Sequence, residues 1–265
     1  DKICFKQSRL TNIPFGVCSA HVGGEEIALC PRRFLERSIV FSDIALHHFG
    51  STTDILLFPE VGLRTVGNFD FVMVKHRPLS SDIEDFVVIE FQTGQTTSTG
   101  ELVRGFEEFL NGVDVTRANY NFGLNTYDIW KRSFTQILNK GIILENWRKK
   151  IFWVVQDYIY RNFETRYHLQ DIGFNSAHST VFALYDLVRS GDSFTLCATR
   201  KTSASIDQLF AAFRNNPDIP PLEDFLRTLR GRVATEAQIS LGIDFGLPPR
   251  GVDVAPPTES GATPD

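Results

Sequence analysis

Asp70 lies in the run NFDFVMVKH, and Glu90 and Gln92 lie in the run DFVVIEFQT. Both runs are otherwise β-branched and aromatic, the composition of strands. Side chains alternate along a strand, so Glu90 and Gln92 share a face with Val88. Asp70 likewise shares a face with Val72 and Val74, opposite Phe69, Phe71 and Met73. Paired as an antiparallel hairpin, the two runs bring Asp70 near Glu90. Two carboxylates at one sheet end repel each other unless a cation lies between them. Mg²⁺ fits: it prefers oxygen ligands and is held by one or two carboxylates plus a substrate phosphate. Such an ion activates a bound water and polarises a phosphoryl oxygen, which is the chemistry of phosphodiester hydrolysis. Gln92 is neither base nor cation, but its amide can orient a water or a phosphate oxygen. Glu60, at the end of DILLFPEV, is a further candidate acid, and Glu36 competes with it. The bland alternative is the wet face of a half-exposed strand.

A second constellation is sulfur-based. Three of the four cysteines, Cys4, Cys18 and Cys30, fall in the first thirty residues. Thiolates clustered this way suit tetrahedral Zn²⁺ or iron, which usually takes four ligands. The spacing is not that of a zinc finger. Cys197, His21 or a cysteine before Asp1 could complete the set, and three buried unligated thiols remain an alternative. The chain starts at Asp1 rather than Met, so a preceding segment is expected.

The elements that position these residues follow from pattern. Residues 1–30 read as loop. RRFLERSIVFSDIALHHFG reads as a helix stopped by Gly50. Three strands, 54–61, 68–76 and 85–93, are close enough for an antiparallel meander. Helices are expected over 99–112, with Thr99 as N-cap, and over 126–147, weakened at Gly141. Three more strands (150–160, 179–188, 192–200) and two short helices (205–216, 221–233) follow. The tail, 246–265, is proline-rich without aromatic residues and reads as disordered. The pattern predicts an α/β domain with a mixed central β-sheet flanked by helices. The expected organisation is a Cys-rich metal-binding segment (1–30), a catalytic domain (31–245) and the tail.

The chain has 265 residues with 42% hydrophobic and 22% charged, an ordinary globular balance. No apolar run is long enough to cross a membrane, and residues 1–10 lack the apolar stretch of a signal peptide. The net charge of −5 excludes a wholly basic nucleic-acid binder. A local basic face is still available from Lys131, Arg132, Lys140, Arg148, Lys149 and Lys150, and from Lys75, His76 and Arg77. Trp130, Arg132 and Gln136 are expected to face the Glu90 strand.

The blocks GVCSAHVGGEEIALCPRRF, IEFQTGQ and IWKRSFTQIL, in that order, resemble the NotI-type family of type II restriction endonucleases. The resemblance implies a PD-(D/E)XK nuclease core in which Gln replaces the usual lysine of Glu-x-Lys. It implies a catalytic set of Asp70, Glu90 and Gln92, with Glu60 as a further acid. Asp70 and Glu90 would hold Mg²⁺, double-stranded DNA would be the substrate, and the protein would be a cytoplasmic bacterial homodimer. It also implies a structural site that binds iron, or zinc, through four cysteines. Cys4, Cys18 and Cys30 match three of these; the fourth would precede Asp1, which leaves Cys197 as core. Two other readings compete: a non-catalytic DNA-binding protein on the same fold, and a nuclease specific for structure rather than sequence.

Overall fold

The computed structural model describes residues 18–169, 172–215 and 217–235. The chain divides into two compact units, Asp1–Asn216 and Pro217–Asp265. Cys4 and the tail 246–265 lie outside the described residues.

Among the described residues the first unit is built on a six-stranded sheet. Its strands are β3 (Ile55–Leu63), β4 (Gly67–His76), β5 (Ile83–Gln92), β6 (Lys150–Gln156), β7 (Thr180–Ser190) and β8 (Ser193–Ala204), side by side in that order. The strands β3, β4 and β5 form the expected antiparallel meander. β5, β6 and β7 run parallel, and β8 returns antiparallel to β7. The sheet is mixed, as the pattern predicts. Parallel strands need long crossovers and are covered on both faces, so the central strand β6 carries an unbroken apolar run from Ile151 to Val155. In β6, residues 151–156 are all buried.

One face packs under α3 (Thr126–Asn146), α4 (Asp157–Tyr167) and α5 (Ile206–Arg214). There Trp153, Val155 and Phe182 meet Ile129, Ile137, Tyr160, Phe163 and Leu209. The other face packs under α1 (Ile39–Phe49), where Phe152, Val154 and Tyr185 meet Phe34, Val40 and Ile44. Tyr185 donates to Asp43 at 2.6 Å, and Lys201 pairs with the same carboxylate, tying α1 to β7 and β8. Phe69 joins Val72 and Val74 in the first core rather than Met73 in the second. It therefore leaves the face that strict alternation assigns it.

Several local expectations are corrected. Residues 18–30 are not loop throughout: β1 (Ser19–Val22) and β2 (Glu25–Ala28) form a hairpin over Gly23 and Gly24, both at positive φ. The helix read over 32–50 is broken. Pro31–Ser38 is 3-10, Arg37 and Ser38 take positive φ, and α1 begins at Ile39. Gly50 does close it in the left-handed conformation. In α2 (Thr99–Leu110) Thr99 is the first helical residue and Ser98 the cap position. The strand read over 150–160 ends at Gln156, and α4 starts at once. Ile159, Tyr160 and Phe163 are buried at helical spacing, which a strand pattern does not provide. In α5 the cap is a true capping box, Ser205 with Gln208.

Gly141 does not weaken α3, which runs 21 residues without interruption. A Cβ at Gly141 would stand 2.6 Å from Ile206 Cδ1 and 3.3 Å from Thr180 Oγ1. The glycine lets α3 lie close against β7 and α5. In the second unit, α6 (Leu222–Thr235) carries Leu222, Phe225, Leu229 and Val233 at spacings of three and four, one apolar stripe.

Asp186 on β7 yields a pH prediction. Burial, then repulsion from Asp157 and Glu25, pushes its carboxyl up to about 6. A folded-state value above the unfolded one stabilises below the unfolded value, and this contribution is lost as pH rises through the folded value. Asp186→Asn is therefore expected to be more stable than the parent at pH 8, by about 1 kcal/mol after solvent screening of a half-exposed group. At pH 3.5 the two should unfold together. Equal urea midpoints at pH 8 would refute this.

Candidate functional site

The ladder between β4 and β5 stops at Phe71 and Ile89. Beyond that pair the next link is a side chain: the Phe91 amide donates to Asp70 Oδ2 at 2.8 Å. The two strands part there, and the carboxylate takes the place of a ladder carbonyl. Asp70, Glu90 and Gln92 line one groove of about 290 Å³ together with Asn68, Thr93, Arg132, Gln136 and Lys140. The fold brings the three sequence-assigned residues to the same end of the sheet.

Glu90 is nearly fully buried, 2% exposed, between β4 and β6, where it stands beside Trp153. Burial, and secondarily Asp70, push its carboxyl up to about 7, against the pull of Lys140. Lys140 Nζ lies 2.7 Å from Glu90 Oε1 and also donates to the Asn68 carbonyl at 2.8 Å. Gln92 is held from both sides. Its Oε1 accepts from Ser133 Oγ at 2.9 Å, and its Nε2 donates to Gln136 Oε1 at 3.3 Å. Ser133, Gln136 and Lys140 recur at three and four along α3, so one helix face supplies these hydrogen bonds to Glu90 and Gln92. Arg132 reaches the groove and donates to Gln95 at 2.7 Å.

Glu60 takes a different position. It lies opposite Asp70, between the pairs Pro59–Phe71 and Val61–Phe69, with φ of 52°. A non-glycine residue held there is strained, and such strain clusters at functional sites. Glu60 shares with Asp70 a second groove, lined also by Arg32, Leu35, Phe71 and Phe91, in which Glu90 takes no part. Glu36 is committed to Arg33 at 3.4 Å and lines neither groove.

The basic residues divide. Arg132 and Lys140 are at the groove. Lys149 pairs with Asp85, and Lys150 donates to the carbonyls of Ser176 and His178, at the opposite end of β5. His76, beside Lys75 and Arg77, pairs with Ile83 at that same far end. Of the three α3 residues expected to face Glu90, Arg132 and Gln136 reach the groove. Trp130 is core, stacked on Phe163 at 4.1 Å. Sequence reasoning counted Lys140 among phosphate contacts and passed over Ser133. The spacing 133, 136, 140, read against Gln92, is the signal that could have found the pair.

Around the cysteines, the Cys18 carbonyl accepts from Leu29 and Cys30 at 3.0 and 3.4 Å, so the hairpin brings the backbones of Cys18 and Cys30 together. His21 instead pairs with Glu26 at 2.8 Å. Cys197 is half-buried on β8 opposite Asp186. Among the described residues no group of three or more metal-type side chains is assembled. Gln156 holds the hairpin: its Oε1 accepts from the Ala28 amide, and its Nε2 donates to the Glu26 carbonyl at 2.8 Å. Gly94 completes the closure. Its amide donates to the Ala28 carbonyl at 2.8 Å, and a Cβ there would lie 2.6 Å from Ile27.

A polar groove with two carboxylates as oxygen donors, flanked by amides and by Arg132 and Lys140, can hold a hard divalent cation against a phosphate. Among the described residues no helix is long and apolar enough to cross a membrane. Compared with known families, the chain matches the one described as Restriction endonuclease NotI over residues 16–196, more than half its length. That span contains β1 to β7 and every groove residue named above. No curated protein matches the chain.

Proposed function

Because this chain belongs to the NotI restriction endonuclease family, we propose that it is a Mg²⁺-dependent, site-specific type II endonuclease. It hydrolyses phosphodiester bonds in double-stranded DNA through a PD-(D/E)XK-like centre. The observation that carries this reading is the convergence of Asp70, Glu90 and Gln92 in one groove inside the matched span.

The donor set fits the metal. Asp70 and Glu90 offer carboxylate oxygens in a shared polar groove, and their mutual repulsion is relieved by a cation. These two residues would hold Mg²⁺, which supplies Lewis-acid polarisation of the phosphate and an activated water. Gln92, locked between Ser133 and Gln136, orients the water or a phosphate oxygen. Arg132, which lines the groove, would contact a backbone phosphate. Glu60 is the further acid, acting on the side of Asp70 away from Glu90.

Cutting both strands of a two-fold site calls for two centres, so the working form is a homodimer. Cys4, Cys18 and Cys30 hold a structural iron or zinc. The adjoining backbones of Cys18 and Cys30 support this, and Cys4 lies outside the described residues.

The test is a digest of plasmid and phage DNA by the purified chain with and without Mg²⁺. Discrete Mg²⁺-dependent bands are expected, and sequencing their ends gives the site. A mobility shift without cleavage would instead indicate a DNA-binding protein without the chemistry. Ragged nicking with no fixed ends would indicate a structure-specific nuclease.

A further inference from the structure

Lys140 is the least expected member of the groove. It sits in the middle of α3, is 6% exposed, and places its ammonium between a carboxylate and a backbone carbonyl. Taking an ammonium out of water is costly, and a well-packed apolar pair would serve stability as well or better. The fold nevertheless supports it with care. Nζ lies 5.4 Å from the Phe69 ring centroid, a cation–π distance. Gly141, next in sequence, lets α3 lie close against Thr180 of β7 and Ile206 of α5.

Resting on the nuclease reading above, we propose that Lys140 is a catalytic residue, supplying from helix α3 the cation that the strand segment Glu90-Phe91-Gln92 does not carry. An ammonium has three N–H groups. One goes to Glu90 Oε1 and one to the Asn68 carbonyl. The third is available to a non-bridging phosphate oxygen in the groove, where negative charge builds up during in-line displacement. A fixed cation aimed at developing charge stabilises it without reorganisation at the moment of reaction. No proton transfer is assigned to Lys140. A lysine serving only as counter-ion to Glu90 would become dispensable once Mg²⁺ occupies the site. The two roles therefore separate at saturating metal.

The experiment uses the full chain with Lys140→Met, which keeps the methylene stem, and Lys140→Gln, which can still hydrogen-bond Glu90 and Asn68. Thermal melts confirm folding. Single-turnover cleavage of plasmid DNA is measured at saturating Mg²⁺, and Ca²⁺ affinity by calorimetry. Both variants are expected to cleave roughly a hundredfold more slowly while binding Ca²⁺ as tightly as the parent or more tightly. Adding Gln92→Lys to Lys140→Met is expected to restore at least part of the rate. Cleavage by both variants within threefold of the parent would overturn the proposal. So would a loss of Ca²⁺ affinity matching the loss of rate, because Lys140 would then only position Glu90. A parent chain that binds DNA and cuts none would instead overturn the nuclease reading, and this inference with it.

Discussion

Glu90→Gln is expected to lower Mg²⁺-dependent DNA cleavage by roughly a thousandfold or more while leaving DNA binding intact. Glutamine keeps the volume of a residue only 2% exposed, and its Oε1 can still accept from Lys140. The substitution therefore removes the charge and little else. Alanine would add a cavity and strand the Lys140 ammonium, confounding chemistry with folding. A pH series gives an internal control. With the Glu90 carboxyl pushed up to about 7, the parent has the carboxylate above that pH and loses it as pH falls below. At subsaturating Mg²⁺ the parent's metal-dependent rate should decline toward acid, because protons and the metal compete for the Glu90 carboxylate, and the variant should lack that competition. Glu60→Gln should retain more activity than Glu90→Gln, because Glu60 meets Asp70 from the neighbouring groove and does not touch Glu90. Cleavage by Glu90→Gln within tenfold of the parent would exclude Glu90 as a metal ligand.

The second large effect is structural. Gln156→Ala deprives the buried Ala28 amide and the Glu26 carbonyl of their partners at once. Each buried group left unpaired costs about 1–3 kcal/mol, so a loss of roughly 3 kcal/mol is expected in urea unfolding. The loss should be felt first in the β1–β2 hairpin, which this side chain holds together with the Gly94–Ala28 bond, the Arg161–Glu25 pair and the burial of Ile27 and Ala28. Cys30 should react faster with a thiol reagent than in the parent. An unchanged urea midpoint would mean that water replaces Gln156 without cost.

The strands were the most legible part of this chain. In β4 and β5 β-branched and aromatic runs are bounded by polar residues, so the meander and, given antiparallel pairing, the meeting of Asp70 with Glu90 could be read from the pattern, although Phe69 leaves the face that alternation assigns it. The parts that were missed share a cause: they are decided by contacts distant in sequence. The boundary at Asp157 was missed because β6 runs into α4 without a turn residue and Tyr158, Ile159 and Tyr160 look like a continuation of the strand. The hairpin at 19–28 looks like loop because Gln156, 128 residues away, supplies its anchor. Lys140 reads as one more surface cation until α3 is laid across β5. Gly141 reads as a helix breaker for the same reason, since the side chains it makes room for belong to Ile206 and Thr180. The positive φ of Glu60 carries no sequence signal at all.

The six strands of the main sheet lie in the order in which they occur in the chain. Each strand emerging from the ribosome therefore finds its partner already made, and the sheet can grow at one edge during synthesis. Asp70 and Glu90 meet early in that sequence, but α3 with Lys140 arrives only after a further fifty residues. Gln156, which fastens the N-terminal hairpin, comes later still. The acidic end of the sheet is thus laid down well before the helix that completes it, so a nascent chain carries the carboxylates without the rest of the groove.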